Sequence, residues 1–211
     1  MKLRPALATL HWKKYLPTAL MLVGLFLLGY VGTQYYAMYA AQKRLAKAWQ
    51  QQNSTLHTSE TAAVVDDGLI RVEIPKINLD AMVVEGSSRR QLKIAPGHIT
   101  TTPIPGESGN SVITAHRDTF FRHIYELTKG DEIMVRRNGQ VFKFQVIGKK
   151  VVDPDDVSVL TPTTDAHLTL ITCYPTYYIG PAPERLVVSA KLVEHTAAVA
   201  GSTQHSAVGI Q

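Results

Sequence analysis

From Tyr15 to Gln42 the chain carries no charged side chain, and the heart of that window reads ALMLVGLFLLGYVG. No other feature constrains the fold more, because a run of this kind has to be taken out of water. At about 1.5 Å per residue, a helix over it is long enough to cross a hydrocarbon core of roughly 30 Å. Pro17 stands where a first helical turn tolerates a missing N–H. Tyr15 at one end and Tyr35, Tyr36 and Tyr39 at the other match the aromatic belts of membrane interfaces. A cleaved signal peptide is the rival reading. Against it, the apolar core exceeds a usual signal core, and the flank continues into the charged, helix-patterned AAQKRLAKAWQQQ. The expectation is an uncleaved anchor over 15–42 behind a short cytoplasmic tail, 1–14. Lys2, Arg4, Lys13 and Lys14 precede the span while Lys43, Arg44 and Lys47 follow it, so the positive-inside bias is slight. A single pass through the plasma membrane with the large domain on the extracytoplasmic side is the simplest topology.

The formal net charge of +5 suggests nucleic acid until its distribution is read. All 17 acids lie at Glu60 or later, with 15 of the 22 bases, which leaves that part of the chain at about −2. The excess positive charge sits beside the span, where anionic lipid head groups attract it. Neither an aromatic-interleaved basic patch nor zinc-finger spacing occurs, and nucleic acid is not expected as a partner.

Residues 43–63 read as a helical, then polar, linker, and 195–211 as a disordered tail of small and polar residues. Between them, 64–194 is of single-domain size. Short alternating or β-branched runs dominate it: LIRVEI, AMVVE, NSVITA, EIMVRR, VFKFQVIGKKVV, HLTLIT and RLVVSAKL. Asn138-Gly139 predicts a two-residue hairpin turn. Only Thr119–Leu127, TFFRHIYEL, reads as a helix. Short strands with little helix predict a β-barrel or sandwich.

The chain has a single cysteine, Cys173, at the end of TLITC and before the loop YPTYYIGPAPE. A lone cysteine is often a small buried hydrophobe. An exported domain normally pairs its thiols, however, so an unpaired one at a strand end stands out. As a nucleophile it needs a base or cation beside it. His116 occupies the analogous place, ending SVITAH. If the two strands run parallel and adjacent, imidazole and thiol reach one rim. His98, in APGHITTTPIPG, reads as a loop residue and is the second choice; His123 and His167 read as structural. Acyl transfer also needs an oxyanion donor. An antiparallel return after Cys173 would bring back Arg185. Arg117 and Arg122 compete, although Arg117 would point away if strand geometry continued past His116, and taken alone each arginine reads as solvated surface.

SVITAHRDT followed by TLITCYP and APERLVVSAKL resembles the sortases, membrane-anchored cysteine transpeptidases of the bacterial envelope, and most resembles class D, with class E second. TLITC matches the family's TLxTC signature, and the resemblance covers roughly Val64 to Val193. It implies an eight-stranded sortase barrel with His116, Cys173 and Arg185 as the catalytic triad, and with Thr172, His98 and Tyr174 at the peptide site. It also implies a reaction. The thiol would cleave an LPXTG-like C-terminal sorting signal after Thr, and an amine from a peptidoglycan precursor or a pilin lysine would resolve the thioacyl enzyme. No cofactor and no metal is expected; Asp153, Asp155 and Asp156 in VDPDD read as a turn or helix cap. An L,D-transpeptidase would carry its cysteine after glycine with an arginine close behind, which LITCYPT lacks. The remaining alternative is a non-enzymatic envelope-anchored β-domain that binds a partner and holds an inert cysteine.

Overall fold

In the computed structural model, which describes residues 12–56 and 69–197, the apolar run and the basic segment after it form one helix, α1 (Trp12–Leu56). The helix begins before the expected anchor, so Pro17 lies inside it rather than in its first turn. Leu20, Phe26 and Leu28 are exposed, and the helix is long and apolar enough to cross a membrane. An apolar surface on every side suits a helix whose solvent is lipid. Gln50–Leu56, expected as polar linker, is helical, continuing the AAQKRLAKAW pattern; the rest of the linker, 57–63, lies outside the described residues.

The chain divides into two compact units, one ending at Ala40 and one beginning at Ala41. In the second unit, α1 lays a half-buried face of Gln42, Leu45, Ala46 and Trp49 against the sheet. These positions share one side of a helix. The Gln42 amide behaves like a piece of backbone: its Nε2 donates to the carbonyls of Met82 (3.1 Å) and Ile94 (3.0 Å), and its Oε1 accepts from the Met82 N–H at 2.8 Å. Two turns on, the Arg71 guanidinium lies 5.4 Å from the Trp49 ring centroid. Gln42→Ala removes all three bonds and leaves backbone groups unpaired, so it should cost about 1–3 kcal/mol of unfolding free energy. A chain beginning at Thr61 should likewise melt below one beginning at Ala41. Equal midpoints in denaturant would show that this helix adds nothing to the second unit.

The sheet is a closed eight-stranded barrel, as expected. Its strands are β1 (Ile70–Ile74), β2 (Leu79–Glu85), β3 (Gly97–His98), β4 (Gly109–Thr114), β5 (Glu132–Arg137), β6 (Gln140–Val152), β7 (Ala166–Tyr174) and β8 (Glu184–Ala197). Around the barrel they run β1-β2-β3-β4-β7-β8-β6-β5, with β5 closing on β1. Two neighbouring pairs are parallel, β2/β3 and β4/β7. IRVEI shows how alternation sets the faces: Ile70, Val72 and Ile74 are buried, while Arg71 and Glu73 face outward and pair with Asp80 and Arg136. Ile113, Ile133, Phe144, Leu168 and Leu170 complete the interior. The β5–β6 turn is the expected one, with Asn138 and Gly139 both at positive φ (49° and 68°), the conformation a two-residue hairpin demands.

Three local expectations change. Thr119–Leu127 is not an α-helix but a run of turns ending in one 3-10 turn, Ile124–Glu126. Phe121, Ile124 and Leu127 are its buried residues, and a spacing of three suits three residues per turn. Its bonds are accordingly i to i+3, from Arg122 N to Thr119 O and from Leu127 N to Ile124 O. The proposed tail begins too early: β8 continues through Ala197, and His195 stacks on Phe142 with centroids 4.5 Å apart. The remainder, 198–211, lies outside the described residues. His98 is not in a loop but in β3, a two-residue strand too short for alternation to reveal.

Candidate active site

Strand register assembles the site. β4 and β7 lie side by side and parallel, with Thr114 level with Ile171. The Ala115 N–H to Ile171 carbonyl bond of 3.2 Å carries the pairing one residue past β4, and the same register continued would bring His116 level with Cys173. β7 and β8 are antiparallel, and Cys173 is the direct partner of Arg185. Residues directly opposite in a sheet project on the same face. Leu168, Leu170, Leu186 and Val188 take the interior face, so Ile171, Cys173 and Arg185 take the outer one. Cys173 and Arg185 therefore share the outer face at one rim of the barrel, and the segment carrying His116 leaves the neighbouring strand at the same rim.

Each of the three is partly exposed. Among the described residues neither the Cys173 thiol nor the His116 ring has a hydrogen-bond partner, which leaves both able to meet a substrate. Arg185 spends one nitrogen on its own approach: Nη1 donates to the carbonyls of Glu184 (2.9 Å) and Ala182 (3.4 Å). Among the described residues Nε and Nη2 form no bond, so part of the planar fork remains free to face an oxyanion.

Thr172 turns inward. It is buried, and its hydroxyl donates to the Ala115 carbonyl at 2.8 Å. That bond ties the residue before the cysteine to the residue before the histidine. Tyr174 also faces inward and packs against the core. His98 is 1% exposed, and both ring nitrogens are engaged, Nδ1 with Glu85 Oε2 (2.8 Å) and Nε2 with the Pro103 carbonyl (3.0 Å) and Thr102 Oγ1 (3.1 Å). An imidazole so engaged holds β2, β3 and the following loop together. It has no free nitrogen for a thiol or a peptide.

One residue matters here that sequence reasoning passed over, and another takes a place other than the one expected. Asn110 is buried in β4; its Nδ2 donates to the carbonyls of Val159 (2.9 Å) and Thr161 (3.3 Å), and its Oδ1 accepts from Thr169 at 2.6 Å. It pins the β6–β7 connection over the outer face, roofing a cavity of about 310 Å³ whose walls include Val159, Thr163, Thr169, Val187 and Ser189. Thr169 and Cys173 share a face four residues apart, about 13 Å along a strand. A polar amide inside an apolar strand was the available signal, since buried polar groups need partners. Asp156 fixes the other end of this connection by capping the 3-10 turn Val157–Leu160. Its carboxylate, held below the usual range by the Ser158 hydroxyl and N–H, accepts from Ser158 N at 2.9 Å. The cap role expected of this acidic run is the one Asp156 takes.

Arg117, weighed above as a competitor to Arg185, is the residue whose place differs. It does not stand in solvent as expected but reaches the β7–β8 loop, donating to the carbonyls of Pro175 (3.2 Å) and Gly180 (2.6 Å). Close by, the hydroxyls of Tyr125 and Tyr177 share a hydrogen bond of 3.1 Å, which pushes the Tyr125 phenol up to about 12.

Comparison with known proteins places these features in context. A family model described as a sortase domain matches residues 72–193. Sortase D of Bacillus subtilis (strain 168) is 32% identical over 198 residues, covering 86% of this chain and 99% of that protein. Sortase A of Bacillus anthracis is 28% identical over 127 residues, covering 58% of this chain and 59% of its own length. Among solved structures, a Clostridium perfringens sortase D5 transpeptidase superposes with a TM-score of 0.60 at 26% identity, covering 75% of this chain and 99% of that one.

Proposed function

The chain belongs to the sortase family of cysteine transpeptidases, and from that premise we propose that it cleaves an LPXTG-like sorting signal after Thr and passes the protein to an amine. The observation that supports this reading is the pair of registers: Cys173 is the direct partner of Arg185, and Thr114, two residues before His116, is level with Ile171, two residues before Cys173. Each residue has a step to perform. The Cys173 thiolate attacks the Thr carbonyl carbon, and the carbonyl becomes an oxyanion facing the free donors of Arg185. Collapse re-forms the carbonyl and breaks the C–N bond, with His116 protonating the departing amine. The thioester then meets an incoming amine. His116 takes that amine's proton, a second oxyanion forms and collapses, and the thiolate leaves. The groove under the β6–β7 connection lies on the same outer face as the thiol and is suited to hold the residues that precede the scissile bond. Thr172 serves this reading from inside the barrel, by fixing the spacing of the two strand ends.

In this proposal α1 anchors the enzyme in the plasma membrane with its N-terminal tail inside and the barrel on the extracytoplasmic side, where exported substrates and cell-wall or pilin amines are found. A partner-binding module with an inert thiol would bury that thiol, whereas Cys173 is only half-buried. The test is covalent capture. The full chain in detergent, mixed with LPXTG-type peptides varied at X and at the residue after Thr, should gain the mass of the peptide up to Thr on Cys173, and hydroxylamine should release it. No adduct with any such peptide would defeat the proposal.

Arg185→Lys probes the oxyanion role. The substitution keeps the charge and loses the fork. It should lower kcat by roughly 10²–10³, the worth of an oxyanion donor, with a smaller change in KM. Wild-type kcat in steady-state kinetics would remove Arg185 from the chemistry.

A further inference from the structure

We propose that Arg117 is a positioning residue for this reaction: it fixes the β7–β8 loop, and through the loop Arg185, to the segment that carries His116. The loop, residues 175–183, has little means of ordering itself. Pro175, Pro181 and Pro183 lack an N–H, and among the described residues its only local regularity is one turn at Thr176–Tyr177. Side chains from outside must hold it. Arg117 does so at two carbonyls five residues apart, Pro175 and Gly180, so one guanidinium spans the first two thirds of the loop. Gly180 has φ of 105°, a conformation other residues rarely adopt, and it is the residue whose carbonyl meets Nη2. The guanidinium carbon also lies 5.8 Å from the Tyr178 ring centroid. Tyr125, from the same β4–β5 connection as Arg117, takes a second hold through Tyr177, with ring centroids 6.0 Å apart and the rings edge to face.

The far end of the loop is held from the other side, because the Ala182 and Glu184 carbonyls accept from Arg185. The loop is thus strung between the guanidinium next to the proposed base and the guanidinium proposed for the oxyanion. If the first is released, the Ala182 carbonyl, the loop's own contact with the second, is released with it, while the Glu184 carbonyl stays fixed at the start of β8. Lysine cannot replace the clamp fully, since it presents no rigid fork to two carbonyls at once.

The decisive experiment compares amide hydrogen exchange by mass spectrometry in the full chain in lipid nanodiscs for wild type, Arg117→Lys and Arg117→Gln. With both charge-assisted bonds gone, loop amides over 176–180 should exchange roughly tenfold faster or more in Arg117→Gln. Peptides from β4 and β7 should be unchanged, with Arg117→Lys intermediate. The kinetic readout rests on the transpeptidase reading: kcat should fall in the same order, by roughly tenfold in Arg117→Gln, while KM stays within about twofold. Wild-type exchange in the Arg117→Gln loop overturns the proposal. So does an equal rise across β4 and β7, which would make Arg117 a general stabiliser, and so does a wild-type kcat. If the wild-type chain forms no thioester with any LPXTG-type peptide, the transpeptidase reading fails, and the exchange rates still decide the clamp.

Discussion

Cys173→Ala should leave a folded barrel that forms no covalent adduct with a sorting-signal peptide and turns none over. The expectation has two halves, and the structure bears on each. Chemically, Cys173 is the only sulfur nucleophile in the chain, since no second cysteine exists to take over. Neighbouring hydroxyls are poor substitutes, because Thr172 is buried and its hydroxyl is bound to the Ala115 carbonyl. Loss of a nucleophile whose partners act as a unit removes nearly the whole rate advantage rather than a share of it. Structurally, the side chain lies on the outer face and is half-buried, so its removal opens no hole in the interior. Unfolding free energy should stay within about 1 kcal/mol of wild type, the scale of substitutions away from a core. Intact mass after incubation with peptide reads the first half and a denaturant titration reads the second. A peptide adduct on the alanine variant would place the nucleophile elsewhere.

How much of this could be read from the chain alone depended on the range of the forces involved. Cys173, His116 and Arg185, the three residues proposed for the chemistry, could be singled out because each ends or begins a β-branched run, and the structure makes Cys173 and Arg185 direct strand partners. The interior was legible for the same reason, since IRVEI alternates with the period of a strand and TLITC is a short apolar, β-branched run. The reading failed where structure is set by distant partners. β3 is two residues long and exists because β2 and β4 flank it, so His98 looked like a loop residue while being an interior one. TFFRHIYEL carries apolar residues at spacings of both three and four, and only the packing of Phe121, Ile124 and Leu127 against the barrel selects the tighter turn. Arg117 reaches partners 58 and 63 residues away. Nothing in the local sequence HRDT announces that reach.

His116→Ala should slow thioester formation from a peptide by roughly 10²–10⁴, the usual worth of a general acid–base group, yet leave Cys173 open to a small alkylating reagent. The loss belongs mainly to the leaving group. When the C–N bond breaks, the departing amine carries away an electron pair and must be protonated, and His116 follows two residues after Thr114, whose partner Ile171 lies two residues before the thiol. No described residue has the same place: the His98 ring is fully engaged inside the barrel, and His123 is paired with Glu126 at 2.8 Å. A substrate that needs no such proton separates this role from mere support of the site. With the Thr carbonyl activated as an aryl ester, the phenolate departs unaided, so the defect of His116→Ala should shrink to about tenfold or less. It should reappear when an amine is the resolving nucleophile, because that amine still has to lose a proton. Stopped-flow acylation with amide and ester forms of one peptide gives both numbers. Equal losses on the two substrates would mean that the defect does not lie in protonating the departing amine, and the general-acid role would then have to pass to another group.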